Sequence, residues 1–247
     1  MKLFPVTEIA GPRQVGKTTL VKSKLKGDHF LYLDLERRAD REKLRGDTVF
    51  FLSQFQERCV VLDEIQFMPE LFSEIRGLVD ENRRPGRFIL LGSASPELIQ
   101  GTSETLAGRI GYLELTPFNL KEVTEPNRLW LRGGFPDSYL AENGETSMLW
   151  RNHFIQTYNH RDLGLLELNA GIKVMERYWQ LIASSQGGLL NAQQFGRNLD
   201  VSQPTIKRYL DFLEGAFILK VLPLWHRNLK KRLMKSPKVY LRDSGIL

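Results

Sequence analysis

Residues 11–19 read Gly11-Pro12-Arg13-Gln14-Val15-Gly16-Lys17-Thr18-Thr19, which matches the pattern G-x-x-x-x-G-K-[ST] of a phosphate-binding loop. An apolar run, Val6 to Ala10, precedes the loop, and a helical stretch, Lys17 to Lys26, follows it. Glycines let backbone N–H groups turn inward around an anion, and the N-terminus of the following helix adds its dipole. The nine residues therefore predict a site for the phosphates of a nucleotide.

Two polar side chains give this loop its chemistry. We expect the Lys17 ammonium to contact the β- and γ-phosphates, and so to take part in catalysis as well as binding. The Thr18 hydroxyl is an oxygen ligand of the kind that Mg²⁺ prefers. The loop thus predicts a bound nucleotide with Mg²⁺.

A second apolar run ends in two acids, in the order Cys59-Val60-Val61-Leu62-Asp63-Glu64. Four apolar residues predict a buried strand whose carboxyl end presents Asp63 to the metal and Glu64 to an attacking water as general base. An apolar strand followed by an acidic turn is common by itself. Its position downstream of a phosphate loop favours the functional interpretation.

A third run, Phe88 to Leu91, is followed by Gly92-Ser93-Ala94-Ser95. Ligands of open α/β sheets bind at the carboxyl ends of strands, so Ser93 is a candidate to hydrogen-bond the γ-phosphate or the water. Ser93 is equally well placed to cap a helix that begins near Pro96.

Short apolar runs alternate with helical stretches in the first half of the chain, which predicts an α/β fold with a parallel sheet flanked by helices, as in P-loop NTPases. Beyond residue 146 the pattern is helical, at Met148 to Leu168 and at Ile172 to Ser184. We predict a P-loop ATPase domain over residues 1–122, a connector with the glycine-proline segment Arg132 to Asp137 over 123–146, and a helical, winged-helix-like domain over 147–247.

The winged-helix prediction comes from Leu190 to Leu210, which has the pattern of a helix, a tight turn and a second helix capped near Ser202. The outward-facing residues of the second helix would meet bases and phosphates if the motif binds DNA; they are Gln203, Thr205, Lys207 and Arg208. Two strand-like runs, Phe217 to Leu224 and Val239 to Leu241, bracket a basic segment, Arg227 to Arg232, and resemble a wing. A solvated charged loop, or a lid that docks a protein partner, fits the same residues.

Composition limits the remaining classes. The chain has 247 residues, a net charge of +6 and one cysteine, Cys59, so no intrachain disulfide framework can form and a reducing, cytoplasmic setting is expected. No apolar run is long enough to span a bilayer, so no membrane partner is expected. The four histidines are scattered without metal-ligand spacing, and no zinc site is predicted.

Several segments together resemble the prokaryotic AAA+-type predicted ATPases that carry a C-terminal domain of unknown function. They are GPRQVGKTT, VVLDEIQ, LLGSAS and LAGR-x-x-x-L-x-L-x-PF, the last at Leu106 to Phe118. The resemblance implies an AAA+ ATPase core with ATP and Mg²⁺ as cofactors. It also implies that Arg109, in LAGR, acts as an arginine finger or sensor, although an arginine that orders a loop fits equally well.

Two departures from this family affect what the resemblance implies. Family members usually have more residues before the first strand, whereas ten precede Gly11 here. They also continue past the position of Asp243-Ser244-Gly245 into a nuclease-like segment, whereas this chain ends at Leu247. We therefore expect a shortened product or fragment without nuclease activity.

Other nucleotide-binding classes fit less well. The chain lacks the Asn-Lys-x-Asp string with which GTPases recognise guanine, so ATP is the expected nucleotide. The predicted function is Mg²⁺-dependent ATP hydrolysis coupled to movement of the winged-helix module. The alternative is a nucleotide-gated DNA-binding regulator, or a protein-interaction switch, with little turnover. The sequence leaves open whether copies of the chain associate as a homo-oligomer.

Overall fold

The computed structural model describes residues 3–25, 27–93, 105–165, 171–225 and 236–247, without the side chains of 28 and 159–165. The chain divides into two compact units, Met1–Thr116 and Pro117–Leu247. Among the described residues, none of the helices combines the length and the apolar character needed to cross a bilayer.

A five-stranded parallel sheet forms the centre of the first unit. Its strands are β1 (Val6–Ala10), β2 (Phe30–Asp34), β3 (Cys59–Asp63), β4 (Phe88–Gly92) and β5 (Ile110–Glu114). They lie in the order β2-β3-β4-β1-β5, and every neighbouring pair is parallel. The carboxyl ends of all five strands therefore lie along one edge of the sheet, where ligands bind in open α/β folds.

Helices in this unit connect the strands. They are α1 (Lys17–Lys24), α2 (Arg38–Leu44), α3 (Thr48–Ser53) and α4 (Leu71–Glu81), with short 3₁₀ turns at Gly27–His29 and Ile65–Phe67.

Apolar side chains cover both faces of the sheet. Successive residues of a strand point to opposite faces. Val60 and Leu62 of β3 accordingly pack in a large cluster with the buried side of α4, whereas Val61 packs in a second cluster with Val21 of α1. Burial on both faces explains why β3 and β4 are continuous apolar runs in the sequence. The predicted parallel α/β fold is confirmed.

The second unit is mainly helical, as predicted for this half of the chain. Its helices are α5 (Pro126–Arg132), α6 (Pro136–Tyr139), α7 (Gly144–Leu165), α8 (Ile172–Ser184), α9 (Ala192–Leu199) and α10 (Gln203–Gly215). Two short strands, β6 (Leu219–Leu222) and β7 (Lys238–Leu241), pair antiparallel. The predicted connector, 123–146, contains α5, α6 and the first residues of α7.

A buried carboxylate joins distant parts of the second unit. Asp243 is 7% exposed and accepts hydrogen bonds from the N–H groups of Gly134 (2.6 Å) and Gly245 (2.8 Å). Burial raises the pKa of Asp243, while these backbone donors oppose the shift. The glycine-proline segment is therefore fixed inside this unit by a residue that follows it by more than one hundred positions.

The helices α9 and α10 form where the sequence predicts them. Asn191 caps α9 by accepting a hydrogen bond from the N–H of Gln194, and Ser202 caps α10 by accepting one from the N–H of Thr205. The turn between the helices contains Asp200 in the left-handed conformation, at φ 54°. The predicted basic segment, Arg227 to Arg232, lies outside the described residues.

Candidate nucleotide-binding site

The loop between β1 and α1 has the backbone of an anion site. Gln14 and Gly16 have positive φ angles of 60° and 94°, a conformation that turns successive N–H groups toward a common centre. Gly16 caps α1 without a side-chain acceptor, so no cap bond occupies the first N–H groups of this helix. A Cβ atom at Gly11 would collide with the carbonyl oxygen of Leu115, which explains the glycine there.

Lys17 lies folded back over this loop. Its side chain is buried, and its ammonium donates hydrogen bonds to the carbonyl oxygens of Gly11 (2.8 Å) and Pro12 (2.9 Å). Burial lowers the pKa of Lys17 to about 8, although Glu64 and Asp63 oppose the shift. The ammonium is thus held beside the N–H groups that would surround a phosphate.

The two predicted metal ligands are in contact. The Thr18 hydroxyl donates a hydrogen bond of 2.6 Å to Oδ2 of Asp63, and the Tyr32 hydroxyl donates one of 2.5 Å to the same oxygen. Burial first, and then the hydrogen bond to Asp63, raise the pKa of Tyr32. The hydroxyl and carboxylate oxygens of Thr18 and Asp63 are the donor types that Mg²⁺ selects, so these residues fit the ion.

A further carboxylate lies at the same edge of the sheet. Asp34 ends β2 directly opposite Asp63 in the register of the two strands. Burial first, and then the negative charge of Asp63, raise the pKa of Asp34. This concentration of negative charge would favour a divalent cation beside the phosphate loop.

The predicted general base, Glu64, belongs to a small polar cluster. Ser93 donates a hydrogen bond of 3.1 Å to Oε2 of Glu64, and the amide of Gln66 donates to that same oxygen and, at 3.0 Å, to the Ser93 hydroxyl. Glu64 has a positive φ of 56°, which is uncommon for a residue with a side chain and common at functional sites. The structure therefore brings Glu64 and Ser93 together. Ala94, Ser95 and Pro96, on which the helix-cap alternative for Ser93 depends, lie outside the described residues.

Arg109 lies at the opposite edge of the sheet. It immediately precedes β5, whose first residue, Ile110, pairs with Val6, the first residue of β1. The strand rise of about 3.3 Å per residue places Arg109 roughly 20 Å from Gly11, beyond the reach of an arginine side chain. Its guanidinium instead makes two contacts with the Asp80 carboxylate, of 2.6 and 2.8 Å. In this structure the Arg109 side chain therefore does not reach a nucleotide held by the same chain, and its assignment as an arginine finger or sensor stays a prediction. Its contacts with Asp80 and with the carbonyl of Ala107 fit the loop-ordering alternative.

Three of the four predicted DNA contacts are exposed on α10. Gln203, Lys207 and Arg208 face solvent, whereas Thr205 is half-buried. The hydroxyl groups of Thr205 and Ser202 are 2.8 Å apart, so Thr205 takes part in the helix cap.

Tyr32 and Gln66 are not among the site residues predicted from the sequence. Tyr32 contacts Asp63 only because β2 pairs with β3, and the order of strands in a sheet cannot be read from a single sequence. Gln66 follows Glu64 by two residues in the segment Asp63-Glu64-Ile65-Gln66. Its polar side chain between the apolar residues Ile65 and Phe67 was the available signal.

Two family models match the chain. An AAA domain matches residues 4–124, and a domain of unknown function (DUF8612) matches residues 123–247. Uncharacterized proteins of Mycobacterium tuberculosis and Mycobacterium bovis are each 40% identical over 245 residues, which cover 98% of this chain and 55% of each relative. The chain thus spans about half the length of the curated relatives it matches.

A solved structure shares the fold. The Walker-type ATPase PABY2304 of Pyrococcus abyssi superposes with a TM-score of 0.58 and 14% identity, over 98% of this chain and 90% of that one. The loop, the acidic strand end and both family matches agree with one another. The chain belongs to the AAA-type P-loop ATPases that carry a C-terminal domain of unknown function.

Proposed function

We propose that the chain binds ATP with Mg²⁺ at the carboxyl edge of the parallel sheet and hydrolyses it. The observation that carries the proposal is the 2.6 Å hydrogen bond between Thr18 and Asp63, which joins the phosphate loop to the acidic end of β3. Neither segment alone has the parts for phosphoryl chemistry. Together they supply oxygen ligands for the ion beside a cradle for the phosphates.

Each residue of the site has a distinct role in this mechanism. The N–H groups of residues 11–19 surround the phosphates, and the Lys17 ammonium exchanges its contacts with Gly11 and Pro12 for phosphate oxygens. Thr18 and Asp63 would hold Mg²⁺, which when bound neutralises charge on the β- and γ-phosphate oxygens. Glu64 accepts the proton of the attacking water, and Ser93, bonded to Glu64, lies where it can orient that water or the γ-phosphate.

The test is steady-state ATP hydrolysis by the purified chain and two variants. Lys17→Ala should abolish ATP binding, whereas Glu64→Gln should retain binding and lower turnover at least about 100-fold. Lys24→Ala and Glu70→Gln change exposed residues of the same unit and serve as matched controls. ATP binding without turnover in the wild-type chain would refute hydrolysis.

We also propose that the nucleotide state of the first unit is coupled to movement of the second unit. The support is the order of the two units along the chain, in which the second unit begins directly after Thr116. Gly133 and Gly134 are buried, so a protease should not cut this turn in the resting protein. Limited proteolysis tests this coupling. If the second unit gives the same cleavage pattern with and without ATP and Mg²⁺, the two units are not coupled.

An alternative output is DNA binding by a winged helix. The capped helix α10, its exposed residues Gln203, Lys207 and Arg208, and the antiparallel pair β6–β7 that follows support this proposal. Lys207→Ala together with Arg208→Ala should weaken binding to double-stranded DNA and reduce its dependence on salt. Stimulation of ATP turnover by DNA at a stated salt concentration would connect the two activities, and unchanged binding by the double variant would favour a protein partner instead.

A further inference from the structure

We infer that Gln66 is a positioning residue that orients Glu64 for proton transfer, an inference that rests on the proposed ATP hydrolysis. The amide nitrogen of Gln66 donates to Oε2 of Glu64 and to the hydroxyl of Ser93, 3.0 Å away. Ser93 in turn donates to Oε2 of Glu64 at 3.1 Å. Two donors thus converge on one carboxylate oxygen and fix the direction of the side chain.

The backbone that carries Gln66 is held firmly. Gln66 lies in the 3₁₀ turn Ile65–Phe67, which follows the left-handed residue Glu64. The N–H of Phe67 donates to the carbonyl of Glu64 at 3.1 Å, and that of Met68 donates to the carbonyl of Ile65 at 3.0 Å. Ile65 and Met68 are buried in the core cluster. A side chain anchored between buried neighbours can hold Glu64 in one orientation.

The other end of the Gln66 amide indicates that this residue is not present for stability alone. Its Oε1 atom is buried and has no hydrogen-bond partner among the described residues. A buried acceptor without a partner is unfavourable, and an apolar side chain of similar size would avoid it. The amide therefore fits best as a donor to Glu64 and Ser93.

The arrangement leaves the second oxygen of Glu64 available for chemistry. Within the described part of the chain, no residue donates a hydrogen bond to Oε1 of Glu64, whereas Oε2 receives two. A general base needs one oxygen free to accept the proton and a fixed orientation toward the water. Gln66 and Ser93 supply the orientation without occupying the reactive oxygen.

Gln66→Met tests this role because methionine retains length and volume but has no N–H donor. We expect Gln66→Met to lower kcat about 10- to 100-fold, since small errors in position have large effects on rate, and to leave KM for ATP within about twofold. Gln56→Met is the matched control, because Gln56 is exposed and precedes β3, whereas the site lies at the other end of that strand. A second comparison, of Glu64→Gln with Glu64→Gln/Gln66→Met, should show equal residual turnover and equal ATP affinity, because the inferred role of Gln66 depends on the Glu64 carboxylate.

Each outcome gives a distinct answer. A Gln66→Met variant with wild-type kcat, or with a raised KM and unchanged kcat, overturns the inference while the proposed hydrolysis stands. A further loss of turnover or ATP affinity when Gln66→Met is added to Glu64→Gln also overturns it, because Gln66 would then act through Ser93, on the nucleotide directly or on the fold. A wild-type chain that binds ATP without turnover overturns both the proposed function and this inference.

Discussion

Asp243→Ala should destabilise the second unit by an amount that follows from its contacts. The carboxylate is 7% exposed and accepts the N–H groups of Gly134 and Gly245 at 2.6 and 2.8 Å. Alanine would leave two buried donors without acceptors, at about 1–3 kcal/mol each. Loss of a buried carboxylate whose pKa is raised by desolvation offsets part of this cost. We therefore expect a loss of roughly 2–4 kcal/mol in the free energy of unfolding.

Tryptophan fluorescence measures this unit selectively. The chain has 4 tryptophans, Trp130, Trp150, Trp179 and Trp225, and all of them follow residue 116. Trp179 is buried against Tyr158, with ring centroids 6.0 Å apart, so its emission should change on unfolding. Urea titration monitored at the tryptophan emission would give the free energy of unfolding of this unit.

Asp137→Ala is the control for Asp243→Ala. Asp137 is exposed in α6 of the same unit, so its removal should change the free energy of unfolding by less than about 0.5 kcal/mol. If both variants unfold at the same urea concentration as the wild-type chain, the Asp243 carboxylate does not fix the glycine-proline segment in solution, and the reasoning from its buried hydrogen bonds is refuted.

Three further outcomes are expected in the first unit. Arg109→Ala should leave ATP turnover per chain unchanged at concentrations where the chain is monomeric and should change the urea midpoint little, because surface ion pairs contribute little to stability. Asp80→Ala should have the same effect, and a large loss of turnover for Arg109→Ala alone would contradict the placement of Arg109. Tyr32→Phe should reduce the free energy of unfolding by about 1–2 kcal/mol, because Asp63 loses a charge-assisted hydrogen bond. Urea unfolding followed by circular dichroism measures this loss, and an unchanged midpoint would show that the bond is not formed in solution. Burial lowers the pKa of Lys17 from 10.5 to about 8, so between these pH values the unfolded chain binds a proton that the folded chain does not. The stability of the ligand-free wild type relative to Lys17→Met should therefore rise from pH 8 to 10 by about 1.4 kcal/mol per pH unit. A difference in stability that does not change with pH would contradict the lowered pKa.

The sequence predicts those parts of the site in which each residue's position and role depend on its near neighbours in the chain. Gly11 to Thr18 lie between a strand and the first residues of a helix, so each of their roles depends on residues a few positions away. Asp63 is the last residue of a strand that is apolar on both faces, and Glu64 directly follows it, so their position at the carboxyl edge follows from the parallel sheet alone. The contact of Asp63 with Thr18 follows because the phosphate loop and the acidic end of β3 both lie at the carboxyl edge of the sheet.

Other features depend on pairings that a single sequence does not contain. Tyr32 reaches Asp63 because β2 lies beside β3, and Asp243 reaches Gly134 across 109 positions. The strand β5, Ile110-Gly111-Tyr112-Leu113-Glu114, was not predicted as a strand. It lies at the edge of the sheet, and Gly111 interrupts its apolar residues, so the continuous apolar run of a central strand is missing.

Arg109 and Asp63 show why a motif gives chemistry more readily than geometry. Both belong to segments that resemble the same family, and both adjoin a strand of the same parallel sheet. Asp63 is the last residue of β3, whereas Arg109 directly precedes the first residue of β5. Because all five strands run in one direction, a residue after a strand lies at the ligand edge and a residue before a strand lies at the other. The side of the strand on which a polar residue stands therefore decides whether it can reach a nucleotide bound by the same chain.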